Sequence, residues 1–162
     1  MERSKKLLLI SHCVLNQNAV IDGWERASGA FPVAKTLIES GLGIIQMPCP
    51  ELLFGGLERP SMTHADYNTD DYRQLCRELL APYIKQIKNY IKNGYVLQGL
   101  VGIHNSPTCS ITGQPGVLME ELFDICEKEN IELKYVEIPE EYSETQPDAD
   151  LENKIKNLIG VL

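Results

Sequence analysis

The chain has 162 residues, of which 43% are hydrophobic and 23% charged, and this composition is typical of one globular domain with a single core. Its 15 Lys and Arg against 23 Asp and Glu give a net charge of −8, which argues against a nucleic-acid polymer as the partner. No apolar run approaches the roughly 18 residues of a membrane span, and the N-terminus lacks a signal-peptide core. We therefore expect one cytoplasmic domain over residues 1–162, without membrane attachment.

The first half of the chain alternates between short apolar runs and polar or helical segments. The pattern predicts a strand over residues 7–11, a long loop over 12–28, a helix over 31–40 and a second strand over 44–47. Pro48 and Pro50 favour extended geometry, so the segment from Pro48 to about Asn68 is predicted to be irregular.

The second half repeats the alternation of helices and strands. A helix is predicted from Thr69-Asp70-Asp71 to Lys92, with Pro82 expected to kink or divide it. A strand over 97–104, a turn over 113–116, a helix over 117–130, a strand over 132–138, an acidic loop over 139–150 and a terminal helix over 151–162 follow. The order of elements predicts an α/β class: a single-domain, three-layer, Rossmann-like fold with a mainly parallel sheet.

Three of the five cysteines follow predicted strands, and this is the main functional signal in the sequence. Cys13, Cys49 and Cys109 each come shortly after an apolar run, and the carboxyl ends of parallel strands meet at one edge of a sheet, where ligands bind. An odd number of cysteines in a reducing compartment favours metal-binding or catalytic thiols over disulfides. Cys76 and Cys126 lie on apolar faces of predicted helices and are predicted to be core residues.

Several kinds of site are compatible with these thiols. Zinc could be held by three thiolates with His12 or His104 as the fourth ligand, and three thiolates could hold an iron–sulfur cluster with one iron open. A hydrolytic Cys–His pair would not need three cysteines. Glu51, two residues beyond Cys49, is a candidate for proton handling, whereas His64 is predicted to be a surface loop residue. No Gly-rich phosphate loop of the usual patterns is present, so no nucleotide cofactor is expected.

Three motifs resemble a known family. They are Cys13 with Asp22-Gly23, then Cys49-Pro50-Glu51 followed by Gly55-Gly56-Leu57, and finally Ser106-Pro107-Thr108-Cys109. Their order and spacing resemble the DUF523 or TudS-like family, named for a thiouracil desulfidase, over most of the chain. The resemblance implies a [4Fe-4S] cluster on Cys13, Cys49 and Cys109, whose open iron takes sulfur from a small thiolated substrate such as a thiolated nucleobase.

The resemblance also assigns roles to two further residues. It implies that Glu51 handles protons and that Ser106 assists, while the oligomeric state is left open. The chain departs from the family pattern by lacking a second cysteine after Cys13, by Ser110 in place of a glycine, and by the segment Glu58-Arg59-Pro60-Ser61. Two other functions fit the residues: a non-catalytic iron–sulfur or zinc module that senses redox state or sulfide, and a metal-free thiol hydrolase. The presence of Glu51 favours a desulfidase over a sensor, because a sensor needs no carboxylate beside its cluster.

Overall fold

The computed structural model describes residues 1–161, in which four strands alternate with six α-helices. The strands are Lys6–Ile10 (β1), Gly43–Gln46 (β2), Val96–Ile103 (β3) and Tyr135–Ile138 (β4). The helices are Ala34–Glu39 (α1), Pro50–Gly55 (α2), His64–Tyr67 (α3), Asp70–Lys92 (α4), Val117–Lys128 (α5) and Ala149–Ile159 (α6). The predicted α/β class is confirmed.

The four strands form one parallel sheet in the order β2-β1-β3-β4. Leu8 of β1 is paired with Ile44 of β2 on one side and with Gly99 of β3 on the other. The chain therefore moves from β1 to one side first and later returns to place β3 on the other side. This reversal creates a switch point between β1 and β3, and open α/β sheets bind ligands beyond the carboxyl ends of the strands at such a point.

Hydrophobic layers cover both faces of the sheet, which confirms the predicted three-layer, Rossmann-like arrangement. Leu8 and Ile10 of β1 belong to the buried cluster that includes Leu37 of α1 and Ile155 of α6. Leu9, which points to the opposite face because side chains alternate along a strand, belongs to the second cluster. That cluster takes most of its helical residues from α4 and α5, among them Leu80, Ile84, Leu118 and Leu122, and Tyr67 from α3.

The segment predicted to be irregular after Pro48 contains two short helices, so that prediction is wrong. Pro50 occupies the first position of α2, where the missing N–H would have no intrahelical partner and the fixed φ favours helix formation. Thr63 and Asp66 form a reciprocal capping box at the start of α3. His64, predicted to be a surface loop residue, lies in α3 with its Nε2 3.3 Å from Oε2 of Glu120.

Other elements differ from the predictions mainly in their ends. Pro82 does not divide α4. The helix stays continuous because its buried face packs against the core through residues such as Leu80 and Ile84. β4 is shorter than predicted, and α6 begins earlier because Asp148 caps it. Position 162, included in the predicted terminal helix, lies outside the described residues. Among residues 1–161, none of the helices combines the length and hydrophobicity that a bilayer crossing demands.

The loop after β3 folds back tightly on its own strand, and glycines make this possible. The amide N–H of Ile103 donates to the carbonyl oxygen of Cys109 at 3.0 Å, and a Cβ on Gly102 would lie only 2.9 Å from that oxygen. A Cβ on Gly116 would lie 2.1 Å from the carbonyl carbon of Thr108. Side chains at these two glycines would therefore displace the backbone that carries Cys109.

Replacing Gly116 by alanine is expected to lower the free energy of unfolding by about 1–3 kcal/mol or more, because overpacking against backbone cannot be relieved by a rotamer change. Urea denaturation measures the loss. Gly29→Ala is the matched control, since a Cβ there meets nothing within 4 Å and no positive φ is involved. Equal stability of the two variants would show that the loop is not packed as described.

Candidate functional site

Cys13 is held in the turn that follows β1. It lies in the short 3₁₀ helix His12–Val14, and the amide N–H of Ser11 donates to the Val101 carbonyl at 2.9 Å, so that β1 stays beside β3 past the end of the strand. The side-chain amide of Gln17 donates to the Cys13 carbonyl at 2.9 Å. These bonds fix the thiol at the switch point between β1 and β3.

Cys49 is the N-cap residue of α2. The segment that leads to it runs alongside β1. The amide N–H of Met47 donates to the carbonyl of Ile10 at 2.9 Å. His12 Nδ1 lies 3.2 Å from the Met47 carbonyl oxygen, and His12 Nε2 lies 3.1 Å from Nδ2 of Asn16. His12 therefore links the segments after β1 and β2, and both of its ring nitrogens are already engaged.

Cys109 lies in the loop after β3, and Ser106 shapes that loop. The amide N–H groups of Cys109 and Thr108 donate to Ser106 Oγ at 2.9 Å and 3.2 Å. The Tyr72 hydroxyl lies 2.8 Å from Oγ1 of Thr108, which ties the loop to α4. Because Ser106 Oγ accepts two bonds, its own hydroxyl proton is left to donate.

Cys13, Cys49 and Cys109 follow three neighbouring strands of the parallel sheet, and the charge of Cys49 acts on both Cys13 and Cys109. Burial, then the charges of Cys13 and Cys49, raise the pKa of Cys109 well above its ordinary value. Burial and the charge of Cys49 raise the pKa of Cys13 to about 12. Burial raises the pKa of Cys49, with the amide N–H of Leu52 acting against it. The thiols are therefore neutral at pH 7 unless a cationic group binds, because metal binding requires and stabilises the thiolate.

Glu51, in the first turn of α2, is the carboxylate of the site. Burial raises its pKa, while the charge of Arg59 and the hydroxyl of Tyr67 lower it. The charge of Glu51 in turn raises the pKa values of Cys13 and Cys109, which places the carboxylate within electrostatic range of the thiols.

Arg59 and Tyr67 were not predicted from the sequence as site residues. Arg59 is only 5% exposed, and the turn at Gly55-Gly56 brings it back beneath α2. A Cβ on Gly55 would lie 2.8 Å from Cβ of Arg59, and Gly56 has a positive φ of 75°. These two glycines were the available signal, since only glycine leaves room for the arginine and adopts the turn.

Other predicted residues lie elsewhere. Cys76 and Cys126 are buried in the helix-facing core, as predicted. His104 Nδ1 lies 3.5 Å from Oε2 of Glu137. A cleft of about 660 Å³, lined in part by His104 and Glu137, lies beside β4 and contains none of the three cysteines.

Comparison with known proteins places the chain in a family. No protein-family model matches it, and no solved structure matches it. The uncharacterized protein MJ0003 of Methanocaldococcus jannaschii is 46% identical to it over 138 residues, which cover 85% of this chain and 88% of that protein. The chain belongs to the MJ0003 family. The name of the archaeal relative states no activity, so the function of this member has to be argued from its site.

In this member of the MJ0003 family, a single ion and a polynuclear cluster would make different demands on three cysteines. Among residues 1–161, no three His, Cys, Asp or Glu side chains are grouped so that they could hold one metal ion. A mononuclear zinc site would require all its ligands within about 2.3 Å of one atom. In an iron–sulfur cluster each cysteine binds a different iron, so the thiols remain apart. Cys13, Cys49 and Cys109 are half-buried, and each lies on the segment after a different strand, so they are candidates for three such corners.

The loop that carries Ser106 and Cys109 is anchored to β4 by Glu137. Its Oε1 accepts from the amide N–H groups of Ile111 and Thr112 at 2.6 Å and 3.1 Å, and its Oε2 accepts from the Thr112 hydroxyl. Burial alone would raise the pKa of Glu137, but the bonds from Thr112 and Ile111 outweigh it, so the pKa is lowered.

Glu137→Gln is expected to lower the free energy of unfolding at pH 7 by about 1–3 kcal/mol, because hydrogen bonds to a charged acceptor are lost. The folded pKa is below the ordinary 4.5, so the contribution is complete above that value and disappears as the pH falls through the folded pKa. Urea denaturation at several pH values should show the variant and wild type converging in acid. The exposed Glu127→Gln serves as control, and a pH-independent deficit in Glu137→Gln would contradict the assignment.

Proposed function

We propose that the protein is an iron–sulfur-dependent desulfidase of the DUF523 or TudS-like type. A [4Fe-4S] cluster on Cys13, Cys49 and Cys109 would serve to remove sulfur from a small thiolated substrate such as a thiolated nucleobase. The observation that supports the proposal is that the three cysteines and Glu51 follow neighbouring strands of the sheet, with Cys49 and Glu51 acting electrostatically on Cys13 and Cys109. The remaining cysteines, buried in the core, would supply no fourth ligand, so one iron of a cluster held here would keep an open position.

The surroundings of the thiols support a resident metal group. Burial keeps the three thiols protonated when no cation is present, and a bound cluster supplies the positive charge that stabilises the thiolates. The buried Ser11 hydroxyl has no hydrogen-bond partner among the described residues, and it lies close enough to Cys109 to lower the pKa of that thiol. Donors of this kind stabilise sulfur ligands in metal sites.

The reaction exchanges a C=S bond and water for a C=O bond and hydrogen sulfide, with no net change in oxidation state. When bound, the cluster supplies a Lewis-acidic iron to the substrate sulfur. Glu51 takes a proton from the attacking water as the new C–O bond forms, and it passes that proton to the departing sulfur as the C–S bond breaks. The second proton of the water leaves the new hydroxyl as the C=O bond forms and completes the hydrogen sulfide. The Ser106 hydroxyl, whose oxygen already accepts two N–H hydrogen bonds, donates a hydrogen bond to the substrate.

The alternative of a metal-free thiol hydrolase lacks a base for its nucleophile. His12 is occupied by Met47 and Asn16, and burial raises the pKa of each candidate thiol instead of lowering it. Reactive thiols in hydrolases have lowered pKa values. A redox or sulfide sensor remains the second candidate function, because three thiols alone would hold its cluster.

Location and partners follow from the same chemistry. An open iron and free thiols require a reducing compartment, which favours the cytoplasm. The net charge of −8 favours a small thiolated molecule over a nucleic-acid polymer as the substrate.

The test is anaerobic purification followed by measurement of iron, acid-labile sulfide and visible absorption. Sulfide release from a panel of thiolated nucleobases is then assayed. We expect a coloured protein that releases sulfide from at least one member of the panel. An intact cluster without any release would favour the sensor, and a protein that binds no iron under reconstitution would overturn the proposal.

A further inference from the structure

Two buried polar groups beside Glu51 lack hydrogen-bond partners among the described residues. They are the hydroxyl of Tyr67, a residue that is 1% exposed, and Nε of Arg59, which is 5% exposed. Buried donors are nearly always paired, because an unpaired one has lost its hydrogen bonds to water without replacement. Two such donors near one another indicate that both donate hydrogen bonds to an acceptor during the reaction.

The arginine is held in place without help from Glu51. Its Nη1 donates to the Gly56 carbonyl at 3.0 Å, and its Nη2 donates to the Ala19 carbonyl at 2.7 Å. The guanidinium is thereby fixed between α2 and the loop that follows Cys13. Of the three guanidinium nitrogens, Nε is therefore the one without a hydrogen-bond partner among the described residues.

The tyrosine is equally restrained by its packing. The ring of Tyr67 lies against that of Tyr72, with centroids 4.5 Å apart, and the Tyr72 hydroxyl is itself bonded to Thr108. The hydroxyl of Tyr67 interacts with both Glu51 and Arg59. The charge of Arg59 and the hydroxyl of Tyr67 therefore both act on Glu51, and both side chains are held on rigid supports.

We infer that Tyr67 and Arg59 are positioning residues that hold the carboxylate of Glu51. The Tyr67 O–H and the Arg59 Nε–H donate to one oxygen of Glu51 and so leave the other oxygen directed at the substrate. A carboxylate has enough lone pairs to accept both bonds on one side. Hydrogen bonds of this kind are often long in a free enzyme and shorten when substrate binds. The inference rests on the proposed function, because it assigns partners to the proton-handling residue.

A purely structural role makes a different prediction. If Tyr67 only fills space, Tyr67→Phe keeps the ring and removes an unpaired hydroxyl, so it should be neutral or stabilising and should leave turnover unchanged. If Tyr67 holds Glu51, turnover falls although substrate binding does not.

The first measurement is steady-state desulfidation by the cluster-loaded protein. Tyr67→Phe is expected to lower kcat by about 10–100-fold, with KM changed by less than about twofold and the iron content unchanged. Tyr83→Phe on α4 is the matched control and should match wild type. Arg59→Met should lose a similar factor in kcat, and Arg59→Lys should recover part of it. Unchanged kcat in Tyr67→Phe would overturn the inference.

The second measurement needs no activity and separates this inference from the proposed function. Unfolding equilibria of Glu51→Gln, Tyr67→Phe and the double variant form a double-mutant cycle on the anaerobically purified protein. We expect a coupling of about tenfold in the unfolding equilibrium constant. Additive effects would overturn the inference even if the protein is a desulfidase. Coupling in a protein that releases no sulfide would support the Tyr67–Glu51 contact while the proposed function fails.

Discussion

Cys49→Ala should abolish iron binding, and Cys13→Ala and Cys109→Ala should do the same. Each cysteine would bind a different iron of the cluster, so removing one thiolate leaves a corner with no protein ligand in a site that has no spare cysteine. Iron per chain is measured after anaerobic reconstitution. Wild type should approach about four iron atoms per chain, and the three variants should fall close to none.

Cys76→Ala and Cys126→Ala are the controls for this experiment. Both cysteines are buried in the helix-facing core, so their replacement costs packing energy but removes no candidate ligand. These variants should keep the iron content of wild type. Full iron in Cys49→Ala would eliminate the three-thiolate site.

Glu51→Gln should keep the cluster but lose desulfidation by about 10²–10⁴-fold, the usual contribution of a general acid–base group. The amide retains the size of the carboxylate and some of its hydrogen bonds, but it cannot take a proton from water. Sulfide release from the best thiolated nucleobase of the panel is measured, together with iron per chain. The iron measurement shows whether any loss of activity comes from loss of the cluster.

Glu58→Gln provides a matched control, because Glu58 is exposed on the turn that follows α2. The same chemical change at this position should leave both iron content and sulfide release at the wild-type level. If Glu51→Gln is as active as wild type, proton handling lies with another group. If it loses its iron, Glu51 has a structural role in the site.

Much of the fold could be predicted because its signals are local. Apolar runs such as that of β1 and the helical periodicity of α4 and α5 depend on neighbouring residues alone. Once the strands are predicted, the positions of the cysteines after them are known as well. The order of the strands could not be read in the same way. It depends on which edge of β1 each later strand joins, and that choice is made by packing between segments far apart in sequence.

The site was predicted less completely than the fold, for two physical reasons. From the sequence alone, Pro50 is expected to favour extended geometry, and α2 is missed because proline is a favourable residue at the first position of a helix. Arg59 and Tyr67 act on Glu51 only after the Gly55-Gly56 turn has folded the chain back, so no local pattern marks them.

The bonds that join the cysteine-bearing segments have a consequence for how the protein would be assembled. Hydrogen bonds between protein groups connect the three segments to one another and to the helices. They join His12 to Met47, Arg59 to Ala19, and Tyr72 to Thr108. In small zinc domains the metal is what folds the chain, and chelators unfold them. Here hydrogen bonds between protein groups join the segments, so we expect the proposed cluster to be inserted after folding and its iron to be removable and restorable without denaturing the molecule.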